Sequence, residues 1–539
     1  MGTSSARLLL TVGILFTAAA CASVRPQTES GAGEPTPPPT TKPTLQQTPS
    51  TAKLPERFES NDYIVTFAAA GDTAERLAVR YLGDARKAWM IEDYAGARTF
   101  AEGREVVIPK RAWNPVGVFP WGYQLVPVLV YHNISAEQKG RLSIATSTFA
   151  AQMRRLHDEG FRAVTLREFL DFTAGKAQLP RKSVLIAFDD GYRSFLQYGR
   201  PVLKELGFSA TLFVYTDYVG SGGKSLSWQD LRMLLDEGFD VQAHSKTHSN
   251  LRRQEGESEA GYAKRMETEL ARPLALFRTQ LGRGSDTLAF PYGDVDEELL
   301  QQVTERGYLA AFTVRRQANP AFVYPLKINR SQIYAEMTLE EFARNLTVFQ
   351  DENLADAAPS PAPEVVATPP TATLTIERLA ALHDERSEQL ESRGRLRQAL
   401  EERAIALTIN PRDRRAQEGL KRLEGRIARE VGNLLKEGRD LLGRGLLGEA
   451  RQQFLAALSL DPTNRTAFET VQNEVREVTF IAHTVRPGDT LASVAELYYG
   501  DRFRAEVIAE TNRLPMNVRL VTGRTLRIPE IPGVPILLR

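Results

Sequence analysis

The chain has 539 residues, enough for several separately cored domains, since a single hydrophobic core stops growing well below that length. Its 68 basic and 67 acidic residues are interspersed and leave a formal net charge of +1, which gives no support for a nucleic-acid partner. A single cysteine, Cys21, excludes an intramolecular disulfide framework.

That cysteine stands at a telling place. Arg7 precedes an apolar run from Leu8 to Leu15, and Phe16-Thr-Ala-Ala-Ala20 leads directly to Cys21. The pattern resembles a bacterial lipoprotein signal peptide, which implies that residues 1–20 are cleaved and that lipid on Cys21 anchors the chain to a membrane. Ala18 departs from the Leu usual three residues before such a cysteine, and an ordinary secretory signal or a retained anchor are the alternatives. Export to the cell envelope is expected in each case. Ala22, in place of the Asp associated with inner-membrane retention, predicts outer-membrane attachment facing the periplasm if the cell has two membranes. Residues 21–55 are rich in Pro, Thr, Gln and Ser and read as an extended tether. At about 3 Å per residue, roughly thirty residues reach on the order of 90 Å, far enough to meet a cell-wall glycan.

Residues 62–110 carry Tyr63-Ile-Val65, Gly71-Asp72-Thr73, Tyr81-Leu-Gly-Asp84 and Val107-Ile108-Pro109, a pattern that returns near the end of the chain. Between residues 123 and 347, short apolar runs alternate with amphipathic helical stretches, as in a parallel α/β sheet. Three of these runs end in clusters of functional groups: Phe188-Asp189-Asp190-Gly191, His244-Ser-Lys-Thr-His248 and Phe290-Pro-Tyr292-Gly293. Sites in such sheets gather at the C-terminal ends of strands. One carboxylate and two imidazoles suffice to hold a divalent metal with positions open for water and substrate, and a second carboxylate beside them can act as a base. Asp-Asp-Gly is also a common turn and His-x-x-x-His is often incidental, so the reading rests on the order and placement of all three clusters.

Together with Val126-Pro-Val-Leu-Val-Tyr131-His132, Ser209-Ala-Thr-Leu-Phe-Val214 and Leu226-Ser-Trp228, these motifs resemble the polysaccharide deacetylases of the NodB-homology family, carbohydrate esterase family 4. The resemblance implies an incomplete (β/α) barrel and metal-dependent removal of N-acetyl groups from a glycan. It implies Asp190, His244 and His248 as metal ligands, Asp189 as general base, and the backbone N–H of Tyr292 as an oxyanion donor. The implied metal is often zinc, with cobalt or nickel as alternatives. Two departures stand out. No histidine lies between His248 and His383, so the family's late Leu-x-His acid is missing; His132 is the replacement by strand-end position, with a structural histidine as the alternative. Ala289 stands where many members carry an Arg that orients the base, and nothing in the sequence shows what orients Asp189, so slow catalysis is expected. Both departures resemble the subgroup acting on poly-β-1,6-N-acetylglucosamine.

A Pro/Ala-rich linker is predicted over 351–373, followed by helical periodicity over 374–475. Gly394-Arg-Leu396 and Ala406-Leu407-Thr-Ile-Asn-Pro411 align with Gly445-Leu-Leu447 and Ala457-Leu458-Ser-Leu-Asp-Pro462, which resembles tetratricopeptide repeats. Their spacing of about fifty residues leaves room for an extra helix or a longer connection. A protein partner and a helical spacer stacked on neighbouring domains are the two readings. Residues 480–529 contain His483-Thr-Val-Arg-Pro-Gly-Asp489-Thr490-Leu491, Tyr499-Gly500-Asp501, Asn512 and Leu526-Arg-Ile-Pro529, similar to the LysM glycan-binding module. The resemblance implies a βααβ fold that contacts N-acetylglucosamine units; residues 62–110 are a looser copy without a matching Asn. Two functions are consistent with these readings: an envelope hydrolase that deacetylates a β-linked N-acetylglucosamine polymer, exopolysaccharide or cell-wall glycan, and a non-catalytic glycan-binding or scaffold lipoprotein.

Overall fold

A computed structural model describes residues 54–137, 140–354, 375–475 and 480–529, with four scattered positions up to residue 537. The predicted signal peptide, Cys21, nearly all of the tether and nearly all of the 351–373 linker lie outside the described residues. No helix among the described residues is long and apolar enough to cross a membrane.

The first module is a three-stranded antiparallel sheet, β1 (Arg57–Glu59), β2 (Tyr63–Phe67) and β3 (Glu105–Pro109), carrying α1 (Ala74–Leu82) and α2 (Ala88–Ala95) between its last two strands. Thr73 caps α1 by accepting from the Arg76 N–H, Gly83 ends it in the left-handed conformation, and Asp84 caps the next single turn. Each device follows from the residue type at that place in the sequence motif.

The central domain is built on parallel strands β4 (Val128–Tyr131), β5 (Ser183–Asp190), β6 (Thr211–Val214), β7 (Asp240–Ala243), β8 (Thr287–Ala289), β9 (Ala310–Phe312) and β10 (Ser331–Gln332). Their spatial order is β9-β8-β7-β6-β5-β4-β10, and a lone bridge between Phe312 and Ile328 draws the two ends together. Seven strands on this path make an incomplete (β/α) barrel. All eight residues of β5 are buried, which explains its continuous apolar run in place of alternation. Parallel register sets Phe188 beside Tyr131 and Asp190 beside Val214, so His132 and the two aspartates reach the same C-terminal rim.

The helical segment comprises α3 (Ile376–Ser392), α4 (Leu396–Ile409), α5 (Arg414–Gly443), α6 (Leu447–Leu460) and α7 (Arg465–Asn473). The spare length in the repeat is neither an additional helix nor a loop. It is absorbed into the 30 residues of α5, which runs on without a break where a shorter repeat would turn. Asp413 and Asn464 cap α5 and α7 in the same way, accepting from Ala416 and Ala467 N–H groups. A side chain at Gly419 would bring its Cβ within 1.4 Å of the Arg403 guanidinium, so glycine leaves the space that this buried arginine fills. The segment buries its apolar faces inside the molecule, as the spacer reading requires. Phe454 and Leu455 share a core with Val118, Tyr123 and Phe322 of the barrel domain, while Leu379, Ala380 and Ile405 pack on Phe58, Tyr63 and Val65 of the first module.

At that second junction His383 is buried between two carboxylates, Nε2 lying 2.8 Å from Glu105 of β3 and Nδ1 lying 2.6 Å from Glu402 of α4. Burial lowers the imidazole pKa, but the bonds to Glu105 and Glu402 outweigh it and raise it to about 9. An unfolded histidine titrates near ~6.5, so this stabilisation is complete below that pH and is lost as pH rises through about 9. Thermal melting should therefore fall between neutral and strongly alkaline pH, and His383→Gln should flatten that dependence. A melting temperature equally pH-sensitive in the variant would remove His383 as its source.

The last module has β11 (Phe480–Thr484), α8 (Leu491–Tyr499), α9 (Ala505–Thr511) and β12 (Thr525–Pro529), with the two strands antiparallel. It repeats the caps of the first: Thr490 accepts from Ser493, Gly500 is left-handed, and Asp501 accepts from the Phe503 N–H. Asn512 ties α9 to β12 through the backbone N–H and carbonyl of Arg527, whereas Gly96 ends the corresponding helix of the first module. The first module thus shares the fold without this tie.

Candidate metal centre and catalytic site

Asp190 Oδ1, His244 Nε2 and His248 Nε2 converge at the C-terminal rim. The candidate ligand atoms of these residues lie within 4.8 Å of one another, with Asp190 3.4 Å from His248 and 3.7 Å from His244. His244 follows β7 directly and is fully buried; its Nδ1–H donates to the Ala289 carbonyl at 2.8 Å, which leaves the Nε2 lone pair facing Asp190. Both His244 Nε2 and Asp190 Oδ1 are buried without a hydrogen-bond partner. Burial drops the His244 pKa to about 4, so the ring is neutral and fit to ligate. Burial, partly offset by His132 and then augmented by Asp189, pushes Asp190 up to about 6, a cost that a bound cation relieves. Two neutral imidazoles and one carboxylate, their inward atoms unpaired, fit a divalent metal.

Backbone strain is concentrated here. Of the five non-glycine residues with positive φ among the described residues, four are Asp190 (75°), Ser245 (70°), His248 (61°) and Tyr292 (62°). Glu269, also buried, fixes the His244–His248 turn by accepting from the N–H groups of Lys246 and Thr247 and from the Thr247 hydroxyl. Gly293 admits no side chain, since a Cβ would lie 2.3 Å from Val314.

Asp189 is 3% exposed and its Oδ1 accepts from Arg330 Nη1 at 2.7 Å. The group that orients this carboxylate, which the sequence does not show, is Arg330. It is fully buried, donates from Nε to the Thr313 carbonyl at 2.8 Å, and spans the barrel over Phe213 and Phe312. Burial raises the Asp189 pKa, but Arg330, His244 and His132 together outweigh it and hold the carboxyl at about 2. Arg330 was missed because it lies 141 residues from Asp189 and in no motif; its only signal was a charge in the strand-like stretch Ile328-Asn-Arg330-Ser-Gln-Ile333.

His132 is buried at the same rim with Nδ1 unpartnered, and it lines a cavity of about 360 Å³ with Arg141 and Tyr192. The Tyr192 side chain hydrogen-bonds Asp190. Tyr292 is 61% exposed, its ring 4.8 Å from His248; the Tyr215 ring lies 5.3 Å from the same imidazole, tilted to it, and stacks on Tyr218. Aromatic faces beside a polar centre suit the apolar face of a sugar ring.

Residues 176–311 match the family model for polysaccharide deacetylase, and residues 483–529 match that for the LysM domain. The chain contains a polysaccharide deacetylase domain and a LysM domain. Among curated proteins, the deacetylase domain is similar to the Bacillus subtilis protein YxkH, 28% identical over 188 residues, which cover 35% of this chain and 64% of that one. It is also similar to a poly-β-1,6-N-acetyl-D-glucosamine N-deacetylase of Staphylococcus aureus, 24% identical over 198 residues, 35% of this chain and 67% of the relative. The match thus spans just under two thirds of the first relative's length. Among solved structures, IcaB from Ammonifex degensii is 28% identical, covering 39% of this chain and 93% of its own, with a TM-score of 0.36. The Streptococcus pyogenes deacetylase PplD is 22% identical, covering 41% and 98%, with a TM-score of 0.38.

Proposed function

We propose that the chain is a metal-dependent hydrolase that removes N-acetyl groups from a β-linked N-acetylglucosamine polymer, exported as an envelope lipoprotein anchored through Cys21. The observation that carries the reaction is the pairing of a complete ligand set, Asp190, His244 and His248, with a second buried carboxylate on Arg330. Zinc, or cobalt or nickel, held by those three residues would supply Lewis acidity toward the amide carbonyl and lower the pKa of water there. Asp189 accepts the proton of the attacking water, and Arg330 keeps its carboxylate ionised and aimed. The Tyr292 backbone N–H serves the developing oxyanion, and its exposed ring offers the sugar a stacking face. His132, with a free nitrogen at the rim, delivers a proton to the departing amine.

The name of the staphylococcal relative supports a β-1,6-linked polymer; the LysM domain fits any polymer rich in N-acetylglucosamine. Acetate release by the soluble chain from residue 26 onward, offered poly-β-1,6-N-acetylglucosamine, chitin oligomers and peptidoglycan, separates these. One polymer should be deacetylated, the activity should vanish with a chelator, and zinc, cobalt or nickel should restore it. Glycan binding with no release under any metal would establish the scaffold reading instead.

A further inference from the structure

The LysM domain is fixed against the barrel by buried charge. Arg316, fully buried, lies 3.5 Å from Glu506 of α9, and Arg504 donates to the carbonyls of Arg316 and Arg344 at 3.0 and 2.9 Å. The Tyr334 hydroxyl also bonds Glu506, and its ring stacks on Phe503, centroids 5.7 Å apart. Phe503 belongs to the barrel's own core. Partners this deeply buried favour one orientation, because a slide or rotation within the closed interface would leave a charge buried and unpaired.

This docking creates a cleft of about 510 Å³, walled by Glu336, Thr338 and Arg344 on the barrel side and by Ala492, Ser493 and Glu496 of α8 on the other. It adjoins the cavity lined by His132. Arg141, which lines the His132 cavity, donates to Glu336 at 2.7 Å and stacks 3.6 Å over the Tyr334 ring. One ion pair therefore forms the boundary between the two spaces. Seven of the eight residues that line the cleft carry a hydroxyl or a charge, groups that can hydrogen-bond a polar polymer.

We infer that the two spaces form one track for a single glycan strand, with α8 of the LysM domain serving as the wall of an outer subsite. The inference rests on the glycan reading above and adds to it a dependence on chain length. A strand long enough to reach α8 gains remote binding energy that helps to position the acetamide at Asp189, whereas a disaccharide gains none.

The test compares kcat/KM for a β-linked N-acetylglucosamine disaccharide and for a long oligomer of the same linkage. Ala492→Trp and Glu496→Arg obstruct the cleft from exposed positions, and Leu497→Trp, exposed on the same helix outside it, is the control. Both cleft variants should lose about tenfold on the long oligomer, about 1.4 kcal/mol, and stay within about twofold on the disaccharide, with the control unchanged. Equal losses on both substrates, or no loss on either, would overturn the shared track. Should the wild-type chain release no acetate at all, the deacetylase reading fails separately. Calorimetry with the long oligomer then decides: weaker binding to the two cleft variants alone supports the track, and unaltered binding refutes it.

Discussion

Asp189→Asn should abolish acetate release, by roughly 10²–10⁴-fold, while leaving metal content unchanged. The substitution preserves volume and an oxygen that can accept from Arg330 Nη1, so the buried contact at 2.7 Å persists in weakened form. The ability to take a proton is lost. Asp190, His244 and His248 supply the ligand atoms, and none of them depends on Asp189 for its backbone support. Elemental analysis of the purified variant, beside its acetate release, separates the two roles. Wild-type turnover would remove Asp189 from the mechanism, and loss of metal together with activity would make it a ligand instead.

Arg330→Met should have the largest effect on stability. Arg330 is fully buried and Asp189 is 3% exposed, so the substitution leaves a carboxylate in the barrel with its principal counter-charge removed. Breaking such a pair from one side costs about 3–5 kcal/mol, enough to lower the melting temperature by roughly 3–5 °C in a chain of this size. The Thr313 carbonyl also loses its donor. Activity should fall through kcat more than KM, because Arg330 touches the base and not the sugar. Arg330→Lys should recover part of the stability, since it restores the charge but cannot serve Thr313 and Asp189 with one planar group. Unchanged melting and kcat in the Met variant would refute this assignment.

Much of the site was legible because its residues are local in sequence. Asp189 and Asp190 end an apolar strand, and His244 and His248 share one short turn after another. Strand ends of a parallel sheet necessarily meet at one rim, so order along the chain was enough to bring them together. The modules were legible for a related reason. Their caps, Thr73 and Thr490, Gly83 and Gly500, Asp84 and Asp501, are set by residue type at fixed spacing, and capping is a local interaction.

The long contacts were not legible. Arg330 reaches Asp189 across 141 residues, His383 joins Glu105 across 278, and Arg504 meets Arg316 across 188. In sequence each is one charge among many, and only burial reveals which charges must be paired. The same holds for α5, whose interior glycines Gly419, Gly425, Gly432 and Gly438 each read locally as a possible break, so that the sequence does not distinguish a continuous 30-residue helix from two helices with a connection. The sequence by itself determined the chemistry of the centre, the sites of the caps and the repetition of the modules, since these depend on residue type and short spacing. Tertiary structure alone decided what aims the base, how the helices seat against the barrel and where the LysM domain docks, since these depend on which distant surfaces exclude water together.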